Sequence, residues 1–280
     1  MRNRGKNGII QHKWRELFQF ESEFRGGARM YDLSAVYKEI LHDEEWLGWM
    51  STIKDYSATG ECQEMYSDHG IRHAMRTAEK AADFVRNCHW YFKDNIRYSF
   101  GFTRDFYLSA IASLLHDIGI VEGRKNHAQR SREMAKTYLQ KFELYYDDIL
   151  LISGAVGSHN GNEPIVNLID AAVLMGDKLD IIRDRILAFY DKALTSALSP
   201  FQKALLRVKS SRYFINEVGH GVLEWGLIPD PTIKDFDDDA KRLIDLAMQE
   251  WPKCITIPEK ITNQFLNIPF SFAIIEEKNS

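Results

Sequence analysis

The sequence predicts a mainly α-helical fold with a small α+β appendage at its C-terminal end. Apolar residues recur at helical spacing through the centre of the chain, whereas mixed aromatic and β-branched segments appear only after Pro200. A chain of 280 residues can form one large domain, or one domain with an appendage. We therefore predict a polar, basic lead-in at residues 1–30, a helical domain at residues 31–199 and the appendage at residues 200–280.

The composition is that of an ordinary globular protein, with 45% hydrophobic and 27% charged residues. The formal net charge of -4 gives no reason to expect a nucleic acid or a membrane surface as a partner, so any recognition of phosphate should be local. The longest apolar run, residues 171–175, is far shorter than the roughly 20 residues that span a bilayer. The 3 cysteines are scattered, which indicates neither a disulfide framework nor a zinc knuckle. We expect a cytoplasmic protein.

Two helices are predicted in the first part of the chain. Residues 34–47 carry apolar side chains at helical spacing, and the stretch at residues 57–60 is typical of a turn. A second helix should begin at Asp68 and run to about Arg86, because the Asp68 carboxylate can accept the unpaired amide hydrogens of a first helical turn.

The clearest helix covers residues 103–118, where apolar side chains occupy one face and Gly119 supplies a stop. The pair His116-Asp117 therefore lies in its last turn. A histidine at that position is stabilised by the helix dipole, which is a purely structural explanation for its presence.

Three more helices follow in the central region. Asn126 can cap the first, which places His127 in its first turn, and the second covers residues 147–158 and ends near His159. Residues 166–189 are predicted to form one long helix. Because this helix is apolar nearly all round in its middle, it should be central.

The C-terminal region has a different pattern. Residues 210–228 mix aromatic and β-branched residues around a Gly-His-Gly sequence, which indicates a hairpin, and a helix should cover residues 234–250. The region contains only His220 as a histidine and no cluster of potential ligands. We therefore expect it to set specificity or oligomerisation rather than the chemistry.

Histidine and aspartate residues recur around the ends of the central helices. The motifs are DHGIRH at residues 68–73, LHD at residues 115–117, single histidines at 127 and 159, and GDKLD at residues 176–180. Neutral imidazole and carboxylate are the protein ligands that hold a divalent metal ion while leaving positions open for water and a phosphate oxygen. Each motif alone is common, but the apolar residues around Asp117 favour a cation or metal as the partner of its carboxylate.

The aspartate of the last motif has two interpretations. Asp170, Asp177 and Asp184 recur every seven residues and could form one solvated stripe on a helix. The apolar run before Asp177 favours an enclosed carboxylate and therefore a ligand. Asp180 lies one turn further on and is the alternative ligand.

The order of these motifs, and the helices that carry them, resemble the HD-domain metal-dependent phosphohydrolase superfamily over about residues 65–190. The resemblance implies a helical bundle that binds metal. It also places the first ligand at His73 rather than at His69, whose position at a helix start disfavours a nearby cation. The ligands that the resemblance implies for a first metal ion are His73, His116, Asp117 and Asp177.

Two further histidines match the ligands of a second metal ion in binuclear members of the superfamily. His127 and His159 would complete that second site, with Asp117 as the bridge between the ions. The segment at residues 126–161 most resembles the bacterial diadenosine tetraphosphate hydrolase branch. The resemblance therefore implies two divalent metal ions as cofactors, with Mn, Fe, Mg, Co and Ni all open.

The activity that the resemblance implies is hydrolysis of a nucleotide or another small phosphorylated metabolite by metal-activated water. Asp117 would then be a catalytic residue as well as a ligand, and Glu122 is a candidate acid for the leaving group. The candidates to bind phosphate oxygens are Arg72, Arg124, Lys125 and Lys178.

Other branches of the superfamily fit less well. Cyclic-di-nucleotide phosphodiesterases carry a lysine where this chain has Ile120, and guanosine tetraphosphate hydrolases carry an acidic dyad where it has only Glu122. Two other functions remain open: a degenerate scaffold that binds a nucleotide as a sensor, and a di-iron oxygenase with nearly the same ligands. The sequence also leaves open whether the protein is a homodimer.

Overall fold

The structure, a computed structural model, describes residues 32–59, 68–91, 99–187, 198–233 and 235–277. Within these residues it consists mainly of α-helices, with one three-stranded sheet near the C-terminal end. The predicted fold class, mainly α-helical with a small α+β appendage, is confirmed. The lead-in predicted at residues 1–30 lies outside the described residues, and the division of the chain at residue 199 stays a prediction.

The elements are numbered here in chain order. Short 3-10 turns cover His89–Tyr91, Ile118–Glu122 and Leu139–Lys141, and a π-helical turn covers Ile261–Leu266. The α-helices are α1 Leu33–His42, α2 Glu44–Thr59, α3 Ile71–Cys88, α4 Phe102–Leu115, α5 His127–Tyr138, α6 Tyr146–Ser158, α7 Leu168–Leu179, α8 Asp184–Leu187, α9 Pro200–Leu205, α10 Phe236–Glu250 and α11 Lys253–Lys260. The strands are β1 Val208–Ile215, β2 Gly221–Leu227 and β3 Phe270–Glu276.

The chain forms two helices, α1 and α2, where the sequence predicts one over residues 34–47. It restarts at Asp43, whose carboxylate accepts a hydrogen bond from the Trp46 amide at 2.9 Å. Because this cap supports a new helix, α2 continues to Thr59. The predicted turn at residues 57–60 is therefore wrong for residues 57–59, and residue 60 lies outside the described residues.

Helix α3 begins later than predicted. Its N-cap is Gly70, and the Asp68 carboxylate accepts a hydrogen bond from the Gly70 amide at 2.9 Å. The expectation that Asp68 caps the helix is wrong, because its carboxylate bonds to an amide that precedes the first helical turn. Asp68 instead shapes the loop that leads into α3.

Helices α4 and α7 form the core of the protein together with α3. Every residue of α4 from Asp105 onwards is buried, and so is every residue of α7 except Lys178. Gly176 allows α7 to approach α3 closely, since a Cβ atom there would lie only 2.5 Å from the Thr77 carbonyl oxygen. The apolar run in α7 therefore predicts its central position correctly.

The long helix predicted at residues 166–189 is wrong. Helix α7 ends at Leu179, and Asp180 leaves the helical conformation with φ -80 and ψ 52. The backbone turns here because the Asp180 carboxylate accepts hydrogen bonds from His73 and Arg76 of α3. The short helix α8 follows after this turn, and residues 188–189 lie outside the described residues.

The C-terminal sheet has the order β1-β2-β3, with β1 antiparallel and β3 parallel to β2. The hairpin predicted around residues 219–221 agrees with β1 and β2. The sheet contacts the helices through α3, where Lys80 Nζ donates to the Ser211 carbonyl oxygen at 2.7 Å and Phe84 packs against Tyr213 at 5.5 Å between ring centroids. Helix α11 packs against α7.

No single helix among the described residues has both the length and the apolar character needed to cross a membrane. One pair of consecutive segments, Phe102–Glu122 and His127–Lys141, meets the criteria of length and composition together, but it is bent by 117°. Helix α4, which begins the first of these segments, is largely buried within the protein.

Candidate metal centre

Six of the sequence-predicted residues form one group of neighbouring side chains, which we call the histidine-aspartate cluster. They come from the first turn of α3, the end of α4, the start of α5, the end of α6 and the last turn of α7. Around this cluster, three overlapping sets of potential ligands each place their ligand atoms within 4.8 Å of one another, so they could hold metal ions. The members of the cluster are His73, His116, Asp117, His127, His159 and Asp177.

The turn after α4 brings Asp117 and His127 together. Gly119 packs against the first turn of α5 so closely that a Cβ atom would lie 2.4 Å from the His127 carbonyl oxygen. The Gly119 amide also donates to the Ser131 hydroxyl at 2.8 Å. Gly119, in the 3-10 turn that follows α4, therefore fixes the start of α5 beside the end of α4.

The first set of ligands surrounds His73. Its Nε2 atom lies 3.1 Å from Nε2 of His116 and 3.5 Å from Oδ1 of Asp177. Both histidines are fully buried, and Asp177 is only 8% exposed. Because Asp170 is also buried while the Asp184 side chain is 62% exposed, these aspartates do not form a solvated stripe.

The second set of ligands consists of Asp117, His127 and His159. The Oδ1 atom of Asp117 lies 3.4 Å from Nε2 of both His127 and His159, and these two Nε2 atoms are 3.0 Å apart. The other oxygen, Oδ2, lies 3.3 Å from Nε2 of His116 and 3.6 Å from Nε2 of His73. One carboxylate thus faces both sets of ligands with different oxygens.

The hydrogen bonds of the histidines assign their tautomers. Nδ1 of His116 lies 2.7 Å from the Ser113 carbonyl oxygen, Nδ1 of His127 lies 2.9 Å from that of Arg124, and Nδ1 of His159 lies 2.6 Å from that of Val156. Nδ1 of His73 lies 2.7 Å from Oδ2 of Asp180. An oxygen acceptor requires a proton on Nδ1, so in the neutral rings all four Nε2 atoms carry lone pairs that face the cluster.

The electrostatics of the cluster favour a bound cation. Burial lowers the pKa of His73 and of His159, so both are neutral near pH 7. Burial alone would raise the pKa of Asp117, but the histidines around it hold that pKa well below its usual value. Burial would also raise the pKa of Asp177, but Lys178 and the other positive and imidazole groups around this carboxylate together hold it well below its usual value. Burial would lower the pKa of His116, but Asp117, Asp177 and the Ser113 carbonyl group together raise it.

Asp180 orients His73 rather than joining the cluster. Its fully buried carboxylate accepts hydrogen bonds from His73 Nδ1 at 2.7 Å and from Arg76 Nε at 2.7 Å. Burial would raise the pKa of Asp180, but Arg76 and His73 hold it below its usual value. A carboxylate behind a ligating histidine is a common arrangement in metal sites because it fixes the ring and its tautomer.

His69 also reaches the cluster, although the helix dipole argued against it. It lies before the helix, and its Nδ1 contacts Oδ2 of Asp117 at 2.8 Å while Arg124 donates to its Nε2 at 3.2 Å. Arg185 lies 3.4 Å from the same ring. Because its Nε2 lone pair faces Arg124 and its Nδ1 contacts Asp117, His69 orients Asp117 in this arrangement. Both histidines therefore lie at the site, His73 as a candidate ligand and His69 as a group that positions a ligand.

The predicted phosphate contacts lie in different surroundings. Lys178 forms an ion pair with Asp177, and Arg124 contacts His69 beside the cluster. Arg72 and Lys125 have exposed side chains that form no hydrogen bond or ion pair with any described residue. The Glu122 side chain is 65% exposed and lies 3.7 Å from Arg130. Sequence reasoning missed Arg76 and Arg185, since an arginine outside a motif carries no signal of its own.

Among the solved structures similar to this chain is the crystal structure of a predicted HD superfamily hydrolase from an uncultured Thermotogales bacterium. The two chains are 21% identical, the match covers 56% of this chain and 82% of that chain, and the TM-score is 0.36. No protein-family model and no curated protein matches the chain. The interpretation of the cluster therefore rests on its own geometry.

Proposed function

We propose that this protein is a metal-dependent phosphohydrolase of the HD superfamily, which binds two divalent metal ions and hydrolyses a nucleotide or another small phosphorylated metabolite. The observation that carries the proposal is the convergence of four imidazole Nε2 lone pairs on Asp117. The Nε2 atoms are 3.1 Å apart between His73 and His116, and 3.0 Å apart between His127 and His159. Two lone pairs at that distance repel each other, and a cation bound between them removes the repulsion.

The residues fit two ions in their number and chemistry. His73, His116 and Asp177 would hold one ion and His127 and His159 the other, with one Asp117 oxygen toward each set. Imidazole and carboxylate suit Mn, Fe, Co, Ni or Zn, and the set contains no cysteine. When bound, such ions lower the pKa of a water molecule and neutralise phosphoryl oxygens.

The cationic side chains beside the cluster favour a phosphorylated substrate. Arg124 and Arg185 lie next to His69, and Lys178 lies next to Asp177. These three groups can hold non-bridging oxygens of a phosphate on either flank of the cluster. This local positive charge is what phosphate recognition requires in a chain whose net charge is -4.

The test is metal analysis followed by a phosphate-release screen across nucleotides and dinucleoside polyphosphates. We expect His116→Ala and Asp117→Ala to lose most of the bound metal and all turnover, because each removes a ligand. The control is His220→Ala, an exposed histidine outside the cluster, which should keep both. Circular dichroism must show that the variants are folded. Full metal content and turnover in both folded ligand variants would refute the proposal.

The phosphate-release screen, together with one spectroscopic measurement, separates the two alternative functions. A nucleotide sensor on this scaffold would bind metal and nucleotide without releasing phosphate. A di-iron oxygenase would use the same donor set, but an iron-loaded sample would change its absorption spectrum with oxygen. The flanking arginine and lysine side chains favour phosphate chemistry over both.

A further inference from the structure

The sheet near the C-terminal end has two outer edges, and α3 covers the edge that β1 forms. Lys80 Nζ donates to the Ser211 carbonyl oxygen at 2.7 Å. Asn87 Nδ2 donates to the Tyr213 carbonyl oxygen at 3.3 Å. These two donors of α3 therefore occupy carbonyl groups that would otherwise be open to another strand.

The opposite edge is formed by β3, which runs parallel to β2. At its start the Gly221 amide donates to the Pro269 carbonyl oxygen, and at its end the Glu277 amide donates to the Leu227 carbonyl oxygen, both at 2.9 Å. The amide and carbonyl groups of one residue in a parallel strand face one neighbour, and those of the next residue face the opposite side. The odd-numbered residues of β3 therefore bond to β2. The residues whose backbone groups face outward are Phe270, Phe272, Ile274 and Glu276.

The outer edge of β3 is open among the residues that the structure describes. None of its four outward-facing residues forms a backbone hydrogen bond with another described element. The side chains of residues 270–274 are partly exposed, and Ile275 is 37% exposed. Soluble proteins usually protect such an edge with charged residues or proline, and β3 has neither before Glu276. The edge is therefore suited to pairing with another strand.

The residue pattern of β3 fits an antiparallel copy of itself. In such a pair the hydrogen-bonded residues must both face the partner strand, and a two-fold axis relates the two copies. An axis through Ala273 pairs all four outward-facing residues, Phe270 with Glu276 and Phe272 with Ile274, in both directions. An axis through Phe272 or Ile274 pairs only three of them. The whole strand is therefore used only when Ala273 lies on the axis.

The side chains of β3 agree with this register. Ala273 would face Ala273 of the second copy in a pair without hydrogen bonds, where Cα atoms are about 4.5 Å apart and side chains are closest. Alanine is the smallest residue in this strand. Glu276 is its only charged residue, and the antiparallel pairing separates the two copies of Glu276 by six residues, or about 20 Å. A parallel pairing in register would place these like charges side by side.

We infer that β3 pairs with β3 of a second copy of this chain, antiparallel about a two-fold axis through Ala273. The two three-stranded sheets then form one continuous sheet, and each of the four bonded pairs contributes two backbone hydrogen bonds. The inference is independent of the proposed function. It gives a physical form to the expectation that the C-terminal region sets specificity or oligomerisation.

The test is sedimentation velocity of the full-length protein at concentrations between about 1 and 100 μM, where we expect the wild type to form a dimer. Ala273→Lys should weaken the dimer at least about tenfold, because it places two ammonium groups opposite each other across the axis. The control is Val218→Lys, which adds the same charge at a 73% exposed position between β1 and β2 and should leave the dimer unchanged.

A mixture of two variants tests the register itself. Ala273→Glu alone should weaken the dimer as Ala273→Lys does, whereas an equal mixture of the two should associate again. Opposite charges meet in the mixture only if residue 273 faces residue 273 of the second copy. Circular dichroism and the thermal midpoint must show that each variant is folded.

Hydrogen exchange of the wild type gives a measurement that needs no variant. The outward-facing amides of Phe272 and Ile274 should exchange more slowly as the protein concentration rises, because only the dimer gives them an acceptor. Exchange of these amides that is independent of concentration would overturn the inference.

The sedimentation results can also contradict the inference in three ways. A wild type that stays monomeric leaves the edge to a strand of another protein. A dimer that Ala273→Lys leaves intact has its interface elsewhere. Folded Ala273→Lys and Ala273→Glu proteins that do not associate when mixed exclude the two-fold axis through Ala273.

Discussion

Replacing Asp180 by asparagine tests whether the site depends on a carboxylate that we do not place among the ligands. Asp180 accepts hydrogen bonds from His73 Nδ1 at 2.7 Å and from Arg76 Nε and Nη2 at 2.7 and 3.0 Å. Asparagine has the same shape, but its amide group directs N–H donors at one of these partners. It also leaves the partly buried Arg76 guanidinium with Asp68, at 3.9 Å, in place of the closer Asp180 counter-charge.

Two losses of known size follow from this geometry. Removing one partner of a buried ion pair costs about 3–5 kcal/mol, and asparagine keeps part of the hydrogen bonding, so we expect the free energy of unfolding to fall by about 2–3 kcal/mol. A carboxylate behind a ligating histidine contributes about 10- to 100-fold in metal affinity. We expect a loss in that range, since the His73 ring is no longer held in the orientation that directs Nε2 at His116.

The assays are urea unfolding of the metal-free protein and metal titration of the folded variant. Asp184→Asn is the matched control, because its side chain is 62% exposed and Arg183, which forms its only ion pair with a described residue, lies 3.9 Å away. We expect the control to change stability by less than about 0.5 kcal/mol. If Asp180→Asn matches Asp184→Asn in both measurements, the positioning role of Asp180 is refuted.

Two further predictions follow from the geometry of the cluster and of the core. His159→Ala should lower the metal-to-protein ratio from about two toward one in elemental analysis, because the ligands around His73 remain; a wild-type ratio of one, with the variant fully active, would count against a second ion. Gly176→Ala should destabilise the protein by about 1–3 kcal/mol in urea unfolding, since its Cβ would lie 2.5 Å from the Thr77 carbonyl oxygen. Gly154→Ala, whose Cβ meets no atom within 4 Å, should instead be neutral or stabilising by up to about 1 kcal/mol, and equal effects at both positions would contradict the packing argument.

The sequence predicts the central elements well because their signals are local. Helix α4 has a long apolar face, although it ends at Leu115 and not at the glycine predicted as its stop, and α6 ends beside the predicted histidine. The elements that differ depend on contacts between distant residues. Helix α7 ends at Leu179 because Asp180 binds two side chains of α3, which lie more than 100 residues earlier in the chain. Such a contact leaves no trace in helical periodicity.

The candidate site likewise contains residues that the sequence predicted and residues that it did not. The structure brings together all six residues that the family resemblance implied as ligands. The residues that surround these ligands could not be predicted from the motifs. Arg185 contacts His69 beside the cluster, and Lys253 of the C-terminal region donates to the carbonyl oxygen of Asn160, the residue after His159, although neither cation belongs to a motif. Arg72, inside a motif, and Lys125, near one, are both exposed, so a position in or near a motif does not determine where a side chain points.

The way each histidine is oriented explains why Asp180 matters more than the sequence suggests. His116 and His159 lie at helix ends and His127 at a helix start, and each finds an acceptor for Nδ1 in the carbonyl three residues earlier. These three rings are therefore oriented by their own backbone.

His73 differs because it lies inside the first turn of α3. The carbonyl three residues before it belongs to Gly70, which already accepts the amide hydrogen of Ala74 at 3.1 Å. Its ring therefore takes an acceptor from another element, and the end of α7 supplies Asp180 for this purpose. The last turn of α7 also places Oδ1 of Asp177 3.5 Å from Nε2 of His73. The end of α7 at Leu179 thus provides both a candidate ligand, Asp177, and the carboxylate that orients His73, Asp180. The point at which the predicted helix over residues 166–189 fails is therefore also the point that organises the site.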